Sequence, residues 1–222
     1  MIVEAIPSVS LRNKLISIFD SNIHTVSNRG KTGAKSRAVY IRVANDLGLR
    51  CQDILNLKKS DINDDGETII LNDITETKTN KVQYQKVLVG DTAERLRAHI
   101  AEFPLSPFVF IGGAKAAKPL TRKSVWENMK NAADELGIEQ NVGTHSLRKS
   151  AALSFWAMGA SSSEIKEMLN HNSEKQTQVY TGSRKYINQA MVLDNQRMMS
   201  GELTDPSQRT DSRALARADI FA

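Results

Sequence analysis

His145 and Arg148 stand three residues apart in GTHSLRKS, so a helix there carries an imidazole and a guanidinium on one face. They fall at the start of a predicted helix, where free backbone N–H groups and the helix dipole favour an anion. Arg50 follows Gly48-Leu49 and precedes an apolar helical stretch in GLRCQDILNL. Lys78 lies at the tip of a polar hairpin, in TETKTNK. His171 sits in LNHNS, and Tyr180 follows nine residues later in TQVYTG. These are residue types with the charges phosphate chemistry needs. Singly, each has a plainer reading. Arg50 reads as a surface ion pair with Asp53, and Lys78 as a solvated lysine with Lys81 as a rival. The histidines read as hydrogen-bonded structural residues. Tyr180 reads as a half-buried core aromatic, with Tyr186 as a nearby competitor.

The elements that must position these residues follow from periodicity and punctuation. Residues 9–26 place Leu11, Leu15, Ile18, Phe19 and Val26 at helical spacing. Residues 27–36 are loop-like, with Arg29, Lys31, Lys35 and Arg37 forming a flexible basic arm suited to phosphate contact. A helix runs over 34–47, with Gly48 as its stop. A short one covers 52–58. Residues 61–66 form a turn before strands at 68–71 and 84–89, which the hairpin 75–81 joins. Asp91 and Glu94 read as a capping box opening a helix to 102. The run 108–111 is a third short strand. Thr121 caps a helix closed by Gly137, and 146–158 form another closed by Gly159. Ser161 and Glu164 form a second capping box, for a helix ending near Leu169. Helix resumes at 173 and over 185–196. Residues from 201 are polar, and either disordered or ordered only against a partner. The expectation is a mainly α (α+β) fold: helices around a small antiparallel three-stranded sheet.

Composition narrows the class of protein. The chain has 222 residues, 40% of them hydrophobic and 25% charged, which suits one sizeable soluble domain. No apolar run nears the ~20 residues a membrane helix needs. Cys51 is the single cysteine, a small core residue by its surroundings, and a cytoplasmic location is expected. The net charge of +5 suits a polyanionic partner. Gly30-Lys31-Thr32 is no phosphate-binding loop, because Thr25 stands where the motif needs glycine. Residues 61–66 start like a calcium loop, but Asn72 occupies the position of its bidentate glutamate. His24, His99, His145 and His171 show no metal-ligand spacing, so no metal is expected.

The order Arg50, Lys78, His145-x-x-Arg148, His171, Tyr180 resembles the signature of tyrosine recombinases, the phage integrase family. GLR with Asp53 third after the arginine resembles the first arginine box, where Glu is commoner. The Lys78 hairpin resembles the family's lysine turn, GTHSLRKS its second box, and VYTG its nucleophile segment. Asn170 departs from the usual glycine before the second histidine. The resemblance covers roughly residues 35–192. It implies a domain at 31–192, flanked by an N-terminal helix in 1–30 and a tail at 193–222 that docks on a neighbouring protomer. It implies that Arg50 and Arg148 grip the scissile phosphate and that Lys78 protonates the leaving oxygen. His145 acts as acid/base and His171 hydrogen-bonds the phosphate, while Tyr180 becomes a 3′-phosphotyrosine. No cofactor is implied. The partner is double-stranded DNA, bound as a homotetramer on two sites. In having only about 30 residues before this region, the chain resembles the fimbrial inversion recombinases. A topoisomerase IB-like enzyme and a DNA-binding accessory protein on the same fold are the alternatives.

Overall fold

The computed structural model describes residues 3–83, 85–113 and 118–222. The periodic apolar segments become helices. Helix α1 (Val9–Thr25) is capped by the Ser8 side chain and buries Leu15 and Phe19. It packs along α2 (Asn28–Leu47), the 20-residue axis of the fold, which Gly48 closes in the left-handed region at φ 58°. Residues 27–36 are therefore not a loop: α2 begins at Asn28 and takes in the basic arm. The glycines misled the reading, and the structure explains one of them. A Cβ on Gly33 would meet the Gly112 carbonyl oxygen at 3.1 Å, so glycine lets the helix approach the 110–112 segment. Ser36 on the same helix accepts from the Ile111 N–H at 3.0 Å.

Short α3 (Cys51–Leu55) follows, then strands β1 (Ile62–Asp64) and β2 (Ile69–Leu71). A second antiparallel pair, β3 (Ile74–Thr75) and β4 (Val82–Gln83), precedes β5 (Lys86–Leu88). The sheet is antiparallel with three strands in the order β1-β2-β5. Its size matches expectation, but its membership does not. The stretch 61–66, read as a turn, supplies β1, with the turn displaced to the Asp65–Thr68 bond and Gly66 at φ 94°. Residues 108–111 make only isolated bridges, Lys58 to Phe108 and Ile111 to Pro119. Tyr84, the expected start of the last strand, lies outside the described residues.

Helix α4 (Gly90–Glu102) starts without a side-chain cap. The expected Asp91–Glu94 box does not form, and Asp91 instead pairs with Arg95 one turn on. Helix α5 (Arg122–Glu135) is capped by Thr121 as expected. Helix α6 (Ser146–Ala157) lies between two cores. Leu147 joins the main one, with Tyr40, Phe110, Ile54, Leu71 and Met129. Leu153, Trp156 and Ala157 join a second, with Ile165, Leu169 and Tyr186. Helix α7 (Ser162–Met168) carries the predicted Ser161–Glu164 capping box, both hydrogen bonds present. Helices α8 (Glu174–Thr181) and α9 (Arg184–Met199) follow.

The polar tail orders on its own chain. Helix α10 (Ser212–Phe221) buries Ala216 and Ile220 in the second core. Arg213 and Arg217 donate to carbonyls at the end of α6 and just beyond it, Gly159 at 3.0 Å and Ala157 at 2.9 Å. Among the described residues no helix is long and apolar enough to cross a membrane.

Candidate active site

The polypeptide brings the widely spaced candidates to one place. Arg50, Lys78, His145, Arg148, His171 and Tyr180 all line a single cavity of about 410 Å³, together with Arg122, Gln176 and Thr77. Each arrives on a different device. Arg50 occupies the position before α3, and Lys78 sits on the turn between β3 and β4. His145 is the residue that opens α6, and Arg148 lies in the first turn of that helix. His171 follows α7 through Asn170, whose φ of 52° is left-handed. Asparagine tolerates that region, so it can stand where the resemblance leads one to expect glycine. Tyr180 rides on α8, which Gly182 closes at φ 70°.

Arg148 is 2% exposed, and backbone carbonyls hold it in place. Nη1 donates to Gly48 at 2.9 Å and Nη2 to Leu169 at 2.6 Å. Carbonyls fix the fork and leave its charge uncancelled. Arg50 ion-pairs with buried Glu76, not with Asp53. Asp53 accepts instead from the Thr77 N–H at 2.9 Å, and so anchors the turn that carries Lys78. The rival Lys81 is hydrogen-bonded to Asn172.

Tyr180 lies against His171, ring centroids 4.9 Å apart, with the Arg148 guanidinium carbon 5.7 Å and the Lys149 ammonium 5.2 Å from its ring. Its hydroxyl is buried and makes no well-formed hydrogen bond. Burial pushes its pKa up, while the charges of Arg148 and Arg50 oppose the rise. His145 and His171 are both pulled down to about 4, by burial first and then by neighbouring guanidinium charge. They are neutral at pH 7. The His171 ring is oriented by Nδ1, 3.1 Å from Thr177 Oγ1. The competitor Tyr186 belongs elsewhere: its hydroxyl donates to Asp219 at 2.9 Å and its ring stacks near Trp156.

Arg122 is the lining cation that sequence reasoning missed. It is the first residue of α5, and its charge contributes to holding His145 neutral. The resemblance offered no motif for it, and an arginine after a helix cap reads as solvent-exposed. Of the basic arm, Arg29 and Lys31 are exposed, Lys35 pairs with Glu102, and Arg37 donates to Ser124 at 3.1 Å. None of the four lines the cavity. Cys51 is 2% exposed, and burial raises its thiol pKa, as suits a core residue. Among the described residues no group of three or more His, Cys, Asp and Glu side chains is placed to hold a metal ion.

Known proteins resemble this chain in sequence and fold. Tyrosine recombinase XerA of Thermococcus kodakarensis is 29% identical over 135 residues, 60% of this chain and 46% of that protein. Tyrosine recombinase XerD of Lacticaseibacillus casei is 27% identical over 159 residues, 67% of this chain and 50% of that protein. The chain thus spans about half the length of these curated relatives. In fold it is similar to the XerH site-specific recombinase bound to difH substrate, with a TM-score of 0.63 at 19% identity over 80% of this chain and 51% of that one. The XerA recombinase crystal structure gives 0.60 at 19% identity over 82% and 60%. The Phage integrase family matches residues 19–186, three quarters of the sequence, and with the helical fold and its small antiparallel sheet this shows that the chain belongs to that family.

Proposed function

We infer that this chain is the catalytic part of a site-specific DNA recombinase, which cleaves and rejoins strands through a 3′-phosphotyrosyl intermediate. The observation that carries the reading is a buried Tyr180 hydroxyl in one cavity with two arginines, two neutral histidines and Lys78. A DNA phosphodiester resists attack because it is anionic and its leaving alkoxide is poor. Arg50 and Arg148 donate to the non-bridging oxygens, each such donor being worth about 2.7–4 kcal/mol in the transition state. The Tyr180 oxygen bonds to phosphorus as the P–O5′ bond breaks. Neutral His145 accepts the phenolic proton, and Lys78 gives a proton to O5′. His171, its ring held by Nδ1 against Thr177 Oγ1, sits beside the phosphate as a further hydrogen-bonding group. The covalent link conserves the ester's energy, and a 5′-hydroxyl of another strand reverses the step.

The unit acting is residues 31–192, flanked by 1–30 and by 193–222. Its partner is double-stranded DNA, and four protomers assemble on two sites. Arg29 and Lys31 are free to meet backbone phosphates. A DNA-binding accessory role is disfavoured because every residue of the catalytic set is present. The test is a nicked suicide substrate resolved on a denaturing gel. Wild-type protein is expected to form a covalent adduct. Tyr180→Phe keeps the ring packing, and is expected to bind DNA and form none. An adduct with the variant would overturn the assignment.

A further inference from the structure

Glu76 is fully buried beside the cavity, an expensive place for a carboxylate. Three side chains satisfy it. Oε1 pairs with Arg50 and accepts from Gln83 at 2.7 Å, and Oε2 accepts from the Thr79 hydroxyl. Its backbone closes the lysine turn from both sides: its N–H donates to Lys81 at 2.8 Å, and its carbonyl accepts from the Asn80 N–H at 2.9 Å. One residue therefore holds Arg50 with its side chain and the base of the Lys78 turn with its main chain. The carboxylate is held where Arg50 meets it by the bonds from Gln83 and Thr79. It engages one guanidinium nitrogen and leaves the others for a phosphate.

We propose that Glu76 is a positioning residue that ties Arg50 to the Lys78 turn, so that the phosphate's seat and the proton donor for the leaving oxygen are set by one carboxylate. The proposal rests on reading the cavity as a strand-cleavage site. Glu76→Gln keeps the shape and the bonds to Thr79 and Gln83 but loses the charge that holds Arg50. A misplacement of about 1 Å costs on the order of 10²-fold.

The test compares ordinary DNA with DNA carrying sulfur at the bridging 5′ position, a leaving group that needs no proton. Glu76→Gln is expected to slow cleavage of ordinary DNA about 10²-fold and to recover part of that loss on the sulfur substrate, the remainder being owed to Arg50, whereas Lys78→Ala should recover most of its loss. Full recovery in Glu76→Gln would mean that Glu76 serves Lys78 alone and would overturn the tie. Equal loss on both substrates would mean that Glu76 serves Arg50 alone, and would overturn the tie. So would wild-type rates on both. A second measurement stands apart from activity. Arg50→Met should speed hydrogen exchange at the Glu76 and Asn80 amides if the tie exists, and unchanged exchange would refute it. That measurement decides the matter if Glu76→Gln does not fold. Wild-type protein that never forms an adduct would sink the strand-cleavage reading while leaving the exchange result to judge the tie.

Discussion

A phosphate entering the cavity meets cations that are already placed, because Arg148 is fixed by two carbonyls and Arg50 by a buried carboxylate. The histidines are held neutral by burial first and by these cations second, and this has a cost that pH exposes. His99, 4% exposed and bonded to Ser36 and the Val109 carbonyl, is also pulled down to about 4 by burial. In the unfolded chain each of these three histidines takes a proton below about 6.5. Stability is therefore full above pH 6.5 and falls as the pH drops toward 4, by at most about 1.4 kcal/mol per unit for each histidine. The partly exposed His145 contributes less. The urea midpoint is expected to fall between pH 7 and pH 5, and the fall should shrink in His99→Gln. A midpoint that holds constant over that range would contradict the burial argument. Asp53→Ala removes the acceptor of the Thr77 N–H. It should cost about 1.5–3 kcal/mol in urea unfolding and slow cleavage, since a charge-assisted bond is lost. At this scale the sequence was most informative, because the six catalytic candidates belong to an ordered set of motifs. Arg122 belongs to no motif, and only folding brings it to the site; Glu76 lies inside the quoted TETKTNK segment, but its burial against Arg50 depends on folding. The Arg50–Asp53 pairing read from adjacency fails because the first turn of α3 points Asp53 at the hairpin.

Elements present these residues by their ends. Helix α7 is held at both: the Ser161–Glu164 box starts it, and two cations take its last carbonyls. Lys86 Nζ donates to Met168 at 2.8 Å, beside the Arg148 bond to Leu169. Burial pulls the Lys86 pKa down to about 8, and Arg148 adds to the effect. Lys86→Met leaves the Met168 carbonyl without its partner at the turn that delivers His171. Amide exchange at His171, which donates to Lys166 at 2.9 Å, is expected to accelerate, with cleavage slowed about tenfold. Unchanged exchange would show the cap to be dispensable. Periodicity revealed α1, α5, α6 and α7, whose apolar stripes and caps are local facts. It failed at 27–36, where glycines that permit close packing look like loop glycines. It failed again in the sheet, where strands of two or three residues are chosen by long-range pairing that no short window contains.

Across the whole molecule, α10 closes the second core with Ile220 and Ala216, while Asp219 takes both Tyr186 and Lys185. Ten residues with one apolar stripe read as a polar tail until the face they cover is known. Removing residues 201–222 uncovers Leu153, Trp156 and Tyr186. Burying one isoleucine alone is worth about 1.5–3 kcal/mol, so the truncated chain is expected to melt several degrees lower. If the tail also docks on a neighbour, truncation should abolish cooperative binding to two-site DNA. Tight, non-cooperative binding to a single site, unaffected by truncation, would favour a monomeric topoisomerase-like enzyme. The central claim is that Tyr180 becomes joined to DNA, and mapping the attachment tests it most directly. Trypsin cuts after Lys175, Arg184, Lys185 and Arg197, which separates Tyr180 in peptide 176–184 from Tyr186 in peptide 186–197. After nuclease trimming of the adduct, mass spectrometry is expected to find the nucleotide on peptide 176–184. A nucleotide on peptide 186–197, or on neither, would contradict the account.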